Sequence, residues 1–370
     1  MIDLFMPFRS FLKFENVCTD NNVFRMHYKL TVIVLLVFTL LVTSKQFFGD
    51  PIHCMSDSEK DGDKEAINSY CWIYGTYTLK SKLVGVEGKH NVYAGVGPQS
   101  INDEQIKHTY YQWVCFVLLG QAAMFYTPRY LWKIWEGGRL KALASDLASP
   151  MVSKDWSEYR RGELVSYLNY TNLYTHNMYA LRYAFCELLN LVNVVGQIFV
   201  LDLFLGGAFR NYGAAVAAFT HTPRVPSDFL DFTSVNPMDQ YFPKLTKCWF
   251  RNYGPSGSIQ LKDRLCVLPL NIVNEKIFVI LWFWLIFLAF VSTIAVCFRF
   301  LLFSIRPLRT FMIMGQLRFV KRRVVSRITK HFGFGDWFIL YLLGKNMNPI
   351  IYKDLIIELS KEIGDMPTMV

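Results

Sequence analysis

From Ile277 to Phe298 the chain runs 22 residues without a charge. At ~1.5 Å per residue a helix of that length reaches ~33 Å, enough to cross a hydrocarbon core of ~30 Å. Lipid offers the backbone no partner, so every peptide group must be satisfied within the segment itself, which makes it a helix. The rest of the chain fits that setting: its 370 residues are 52% hydrophobic and 16% aromatic but only 18% charged, too apolar for an ordinary soluble domain.

Thr109 to Pro128 is a second uncharged run, of 20 residues. Tyr110, Tyr111 and Trp113 open it and Tyr126 and Tyr130 close it, as an interfacial aromatic belt would. Leu30 to Ser44 is uncharged but short, so Lys29 and Lys45 are expected to snorkel from the two ends of a helix running on towards Phe48. The fourth candidate, Tyr179 to Leu205, carries Arg182, Glu187, Asn190, Asn193, Gln197 and Asp202. At ~100° per residue Arg182, Asn190, Asn193 and Gln197 fall within ~80° of arc, so this face should point into a bundle. It serves there either as interhelical hydrogen bonding or as the lining of a pathway.

The predicted fold is an all-α membrane protein, a four-transmembrane-helix bundle with disulfide-clamped extracellular loops and cytoplasmic termini. Spans are placed at 23–48, 109–130, 179–205 and 275–298. They separate an N-terminal segment (1–22), a first outer loop (49–108), a cytoplasmic loop (131–178), a second outer loop (206–274) and a C-terminal region (299–370). Sidedness follows from Arg299 to Gly335, which holds nine Lys and Arg and no carboxylate and so belongs inside. Cys54 and Cys71 then fall in one outer loop and Cys248 and Cys266 in the other, where an oxidising compartment favours disulfides. The N-terminal run lacks the pattern of a cleaved secretory signal, since Asp3, Glu15 and Asp20 interrupt it, and is expected to stay attached.

Catalysis and cofactor chemistry find no support. Cys18, Cys115, Cys186 and Cys297 have no metal-ligand spacing, the seven histidines form no H-E-x-x-H pair, and neither a phosphate-cradling glycine loop nor a nucleophile elbow occurs. Glu136-Gly137-Gly138 and Gly254-Pro255-Ser256-Gly257 read as turns. The net charge of +10 reflects mostly the C-terminal region and suits anionic inner-leaflet lipid rather than nucleic acid. The sequon Asn169-Tyr170-Thr171 falls in the loop assigned to the cytoplasm, where glycosylation cannot occur. The outer loops have net charges of 6 − 9 = −3 and 7 − 4 = +3, an imbalance that either draws them together or only keeps them soluble.

Tyr110-Tyr111-Gln112-Trp113-Val114 resembles the signature pentapeptide of the innexins, the invertebrate gap-junction proteins. Other segments resemble the family in order along the chain: Asp20 to Arg25, Gly49 to Ile52, Trp132 to Gly138, Tyr253 to Ser258, Leu268 to Lys276 and Gly335 to Phe338. Connexins share the topology but carry three cysteines in each loop. The resemblance implies a subunit of a membrane-spanning ring, an octamer, that joins copies of itself or other innexins. Such a ring docks with one in the adjoining cell and passes ions and small solutes. A non-conducting tetraspan adhesion or scaffold protein would share the spans and clamped loops, and dye or current passage separates the two.

Three further expectations concern sites. Two loops that must be locked together are better served by bridges between them, in the nested order Cys54 with Cys266 and Cys71 with Cys248; one bridge per loop stays open. Pro128 either ends or kinks its helix, and the resemblance makes it a candidate gating hinge. The N-terminal segment is amphipathic, suited to a membrane surface or, as the resemblance implies, to the cytoplasmic mouth of the pore. There Ile2, Asp3 and Phe5 become pore and selectivity candidates, with Asp3 favouring cations.

Overall fold

The structure, a computed structural model, describes residues 17–56, 61–84, 93–100, 102–144, 147, 154–168, 176–221, 236–317 and 320–365. Ile2, Asp3 and Phe5 lie outside these, as does the sequon at Asn169. Most of the described chain is helical. Its longest helices are α1 (Asn22–Phe48), α2 (Val114–Glu136), α3 (Asn177–Phe204) and α4 (Pro269–Ser304), of 27, 23, 28 and 36 residues. By length and composition α1, α3 and α4 can cross a membrane. Helix α2 has the length, but Gly120, Gln121, Thr127, Pro128 and Arg129 dilute its apolar content and it is not among the three.

Local sequence explains the helix starts. The Asn21 side chain accepts from the Phe24 N–H at 2.7 Å and so caps α1. Pro269, whose ring suits a first helical turn, opens α4 six residues before the predicted start at 275. Within α1, Met26–Thr31 is a π-helical turn, and Thr31 Oγ1 donates to the Met26 carbonyl at 2.9 Å.

The described chain forms two compact units. One comprises Val32–Ala123 and Val194–Leu288. Here the all-α expectation fails: the segments predicted as outer loops build a five-stranded antiparallel sheet in the order β1-β5-β4-β2-β3. Strands β1 (His53–Cys54), β2 (Thr76–Leu79) and β3 (Gln105–His108) come from the first segment, β4 (Leu245–Tyr253) and β5 (Ile259–Val267) from the second. The reason lies in Gly254-Pro255-Ser256-Gly257, which is the turn of a hairpin: Gly254 N–H donates to the Ser258 carbonyl at 2.8 Å and Gly257 takes φ +75°, open to glycine at no steric cost. Nine register pairs then join β4 to β5. Helices Asp61–Tyr74 and Phe209–His221 also occupy the predicted loops.

Two of the loop lysines are paired inside this unit. Lys247 Nζ meets Asp263 Oδ2 at 2.5 Å and donates to the Gly97 carbonyl at 3.0 Å, while Lys244 Nζ lies 3.0 Å from Asp239 and 3.2 Å from Glu275. Attraction between the segments thus runs partly through a lysine onto a carbonyl, and these two lysines already have local anionic partners.

The other unit comprises Met1–Thr31, Met124–Asn193 and Ala289–Val370. Its core gathers Phe24, Trp132, Tyr183, Trp337, Phe338 and Tyr352. Helices Arg306–Met314, Arg322–His331, Phe334–Asn346 and Pro349–Asp365 make the C-terminal region a packed element of this core. The Gly335-Asp336-Trp337-Phe338 segment shows how. A Cβ on Gly335 would lie 2.3 Å from the His176 and Asn177 backbone, so only glycine permits the approach. The buried Asp336 carboxylate meets His176 Nδ1 at 2.8 Å, Trp337 Nε1 donates to the Arg309 carbonyl at 3.1 Å, and Phe338 packs on Tyr183.

Candidate functional site

Two constellations concentrate the chemistry, one in each unit. In the sheet unit Cys54 sits directly opposite Cys266 across β1 and β5 and is bonded to it. Cys71, on helix Asp61–Tyr74, is bonded to Cys248 on β4. Both bridges therefore run between the two segments, in nested order. All four cysteines are buried, and the sulfurs of Cys54, Cys71 and Cys266 lie within 4.8 Å of one another. Their oxidation to disulfides leaves no thiolate there to ligate a metal.

The Tyr110 to Val114 pentapeptide supports this clamp. Tyr110–Gln112 forms a single 3-10 turn ahead of α2. Tyr111 is fully buried against Trp72 at 4.6 Å between ring centroids, and Gln112 Nε2 donates to the Trp72 carbonyl at 2.5 Å, one residue from Cys71. Tyr110 packs edge-on to Phe242 at 5.6 Å and Val114 is buried, whereas Trp113 is 60% exposed. The motif thus seats the helix that presents Cys71.

Beside it, His108 on β3 is buried and its Nε2 lies 2.8 Å from Thr78 Oγ1. Burial pushes its pKa down to about 4. Since the folded pKa lies below the unfolded value of ~6.5, this contribution is complete above ~6.5 and is lost as pH falls towards about 4. Lowering pH from 7.5 to 5 is expected to cost ~2 kcal/mol through this group. Thermal unfolding of the lipid-embedded protein at both pH values checks this, and His108→Gln should remove that share of the dependence.

In the second unit, residues 18–25 form a collar. The buried Asp20 carboxylate accepts from Arg25 Nε at 2.7 Å and Tyr28 OH at 2.9 Å and meets Arg129 Nη1 at 3.3 Å. Arg129 also donates to Thr19 Oγ1 at 3.2 Å and covers the Tyr28 ring. Asn21 donates from Nδ2 to Glu187 Oε1 at 2.7 Å, and its backbone N–H donates to Tyr183 OH. Glu187 is held bidentately by Arg299 at 2.7 and 2.8 Å, with that guanidinium lying over the Tyr183 and Phe338 rings. Cys18 exchanges two backbone hydrogen bonds with the Asn346 side chain, at 2.5 and 2.9 Å. The root of the N-terminal segment is therefore fixed to α2, α3, α4 and the C-terminal region.

Pro128 does not end its helix: α2 runs on to Glu136. The missing donor at Pro128 leaves the Met124 carbonyl without its helical partner, and Asn193 Nδ2 of α3 donates to that oxygen at 3.3 Å. The polar-face expectation for α3 holds for Asn190 and Gln197, which are buried, but Arg182 is exposed, its guanidinium beside Trp135. Glu187 takes the interior place because Arg299 neutralises it.

The collar was missed as a site. Asp20, Arg129, Glu187 and Arg299 are scattered in sequence, and the available signal was only that each charge stands within or at the edge of an apolar run.

A largely helical chain with apolar helices long enough for a bilayer, and with two polar segments bridged into one sheet, has the make-up of a membrane protein. The innexin family model matches residues 20–363. The chain is 49% identical to innexin inx2 of Drosophila melanogaster over 98% of its own length and 96% of that protein. It is 47% identical to innexin inx2 of Schistocerca americana, with 98% of each chain covered. With innexin shaking-B of Drosophila melanogaster it shares 40% identity over 98% of this chain and 95% of the relative. The chain belongs to the innexin family. Innexins are subunits of the oligomeric gap-junction channels of invertebrates, and the chain is such a subunit.

Proposed function

We propose that the chain crosses the plasma membrane four times, α2 supplying the fourth span, with both termini in the cytoplasm and the disulfide-bearing sheet outside. Eight copies form a ring that docks with a ring in the adjoining cell. The observation that carries this reading is the double bridging of both segments into one sheet whose hairpin turn is flanked by two exposed apolar side chains: Tyr253 is 75% and Ile259 71% accessible. A tip held in fixed shape meets its partner with little ordering cost. Images of rings purified in lipid discs test the stoichiometry, and rings of any number other than eight would overturn it.

The N-terminal segment, anchored at its root by the collar, lines the cytoplasmic mouth of the pore, with Ile2, Asp3 and Phe5 as its pore and selectivity candidates and Asp3 repeated around the ring. Rings of carboxylates favour cations. Asp3→Asn is expected to lower cation over anion permeability, read as a shifted reversal potential in asymmetric salt. An unshifted potential in a conducting channel would place selectivity elsewhere.

Pro128 acts as the gating hinge of α2, with Asn193 holding the carbonyl that it frees. Pro128→Ala restores an N–H to that carbonyl and should shift the voltage dependence of junctional current. Asn193→Leu should shift it too, but not in the Pro128→Ala background, where the carbonyl has its helical donor again. The coupling amounts to ~1 kcal/mol, the worth of one hydrogen bond. Additive shifts in the double variant would separate Asn193 from the hinge.

A further inference from the structure

At the cytoplasmic-collar end of α1, a cavity of about 10 Å³ is lined by Asn21, Phe24, His27, Glu187, Asn190 and Ser292. Val23, Ala295 and Val296 complete its wall, beside polar groups that the surrounding hydrogen bonds do not all satisfy. His27 is fully buried and its Nε2 lies 2.7 Å from Ser292 Oγ, but its Nδ1 has no partner. Asn190 is 3% exposed, and neither its amide nitrogen nor its amide oxygen has one. Unpaired groups of this kind are costly away from bulk water, so they define what the cavity accepts.

The occupant must donate as well as accept. Asn190 presents one atom of each kind, and His27 Nδ1 is donor or acceptor according to which nitrogen Ser292 engages. A bare cation would serve only acceptors, and the most anionic group in the wall, Glu187, is already taken by the Arg299 fork and by Asn21. A lipid chain would serve none of them. The volume is that of about one water. His27 also lies within the π-helical turn Met26–Thr31, and such turns cluster where a helix is adapted to a functional contact.

We propose that this cavity is a hydration site, in which a water molecule joins His27 Nδ1 on α1 to the Asn190 amide on α3. With the His27–Ser292 bond the bridge extends to α4, so that one water sets the rotation of the π-helical turn against two neighbouring helices.

Two measurements on the full-length protein in lipid discs test this. A cryo-EM map at a resolution that shows ordered water should contain a peak within hydrogen-bonding distance of both His27 Nδ1 and Asn190. Collapse of the cavity, density continuous with a lipid chain, or an ion at coordination distance would overturn the proposal. Asn190→Leu then gives an opposed sign. If water bridges the amide, the variant loses a satisfied network and its Tm falls; if the cavity is dry, removing an unpaired amide raises Tm or leaves it unchanged. Should Asn190→Leu fail to assemble, the wild-type map decides alone.

Discussion

Replacing Cys71 and Cys248 together by serine is expected to cost ~3–5 kcal/mol and to abolish junctional current, because this bridge closes a loop with a sequence separation of 177 residues. The loss falls on β4, the strand that carries Cys248 and the exposed hairpin tip. Serine at Cys248 alone gives a different result. The freed Cys71 thiolate stands within 4.8 Å of the Cys54 and Cys266 sulfurs and can attack either, releasing the other as a thiol while one S–S bond replaces another. Non-reducing peptide mapping of Cys248→Ser should therefore recover Cys71 joined to Cys54 or Cys266 beside the native Cys54–Cys266 bridge. Native pairing alone, with junctional current retained in the double serine variant, would show that the second bridge is dispensable.

Asp20→Ala should be the most damaging single change in the collar. It takes from the buried Arg129 its carboxylate partner, removes an acceptor from Arg25 and Tyr28, and is expected to cost ~3–5 kcal/mol, the usual penalty for breaking a buried ion pair from one side. Asp20→Asn keeps the shape and should cost less. The mechanism is separable from simple misfolding by a double-variant cycle with Arg129→Gln: thermal stabilities measured in lipid discs should show that Arg129→Gln costs much less once Asp20 is asparagine. Additive losses would mean that the two residues act independently.

The long apolar helices were legible because an uncharged run of bilayer length has few other uses, as Ile277 to Phe298 illustrates. The cysteine positions likewise announced a clamp. The sheet was less legible, although part of its signal was present: Leu245–Tyr253 holds Thr246, Trp249, Phe250 and Tyr253, Ile259–Val267 begins and ends on a β-branched residue, and the two flank a Gly-Pro-Ser-Gly turn. Its three remaining strands span only two to four residues and exist through pairing, which local pattern does not reveal. The collar was hidden for a similar reason. Asp20 and Arg129 are 109 positions apart, and only the tertiary fold makes a carboxylate before one long helix the partner of a guanidinium in another. Pro128 taught the converse, since a residue that breaks helices in isolation is carried within α2 once another helix satisfies the carbonyl it frees.

On the proposed function, this chain forms a conducting path between cells through rings docked by their disulfide-clamped sheets. Paired recording from two cells that lack other gap-junction proteins, each expressing this chain alone, tests it most directly. Junctional current that disappears when either cell carries the Cys71→Ser, Cys248→Ser variant is the predicted result. Absence of current between cells whose shared border contains the unaltered protein, or current that survives loss of the bridge in both cells, would contradict it.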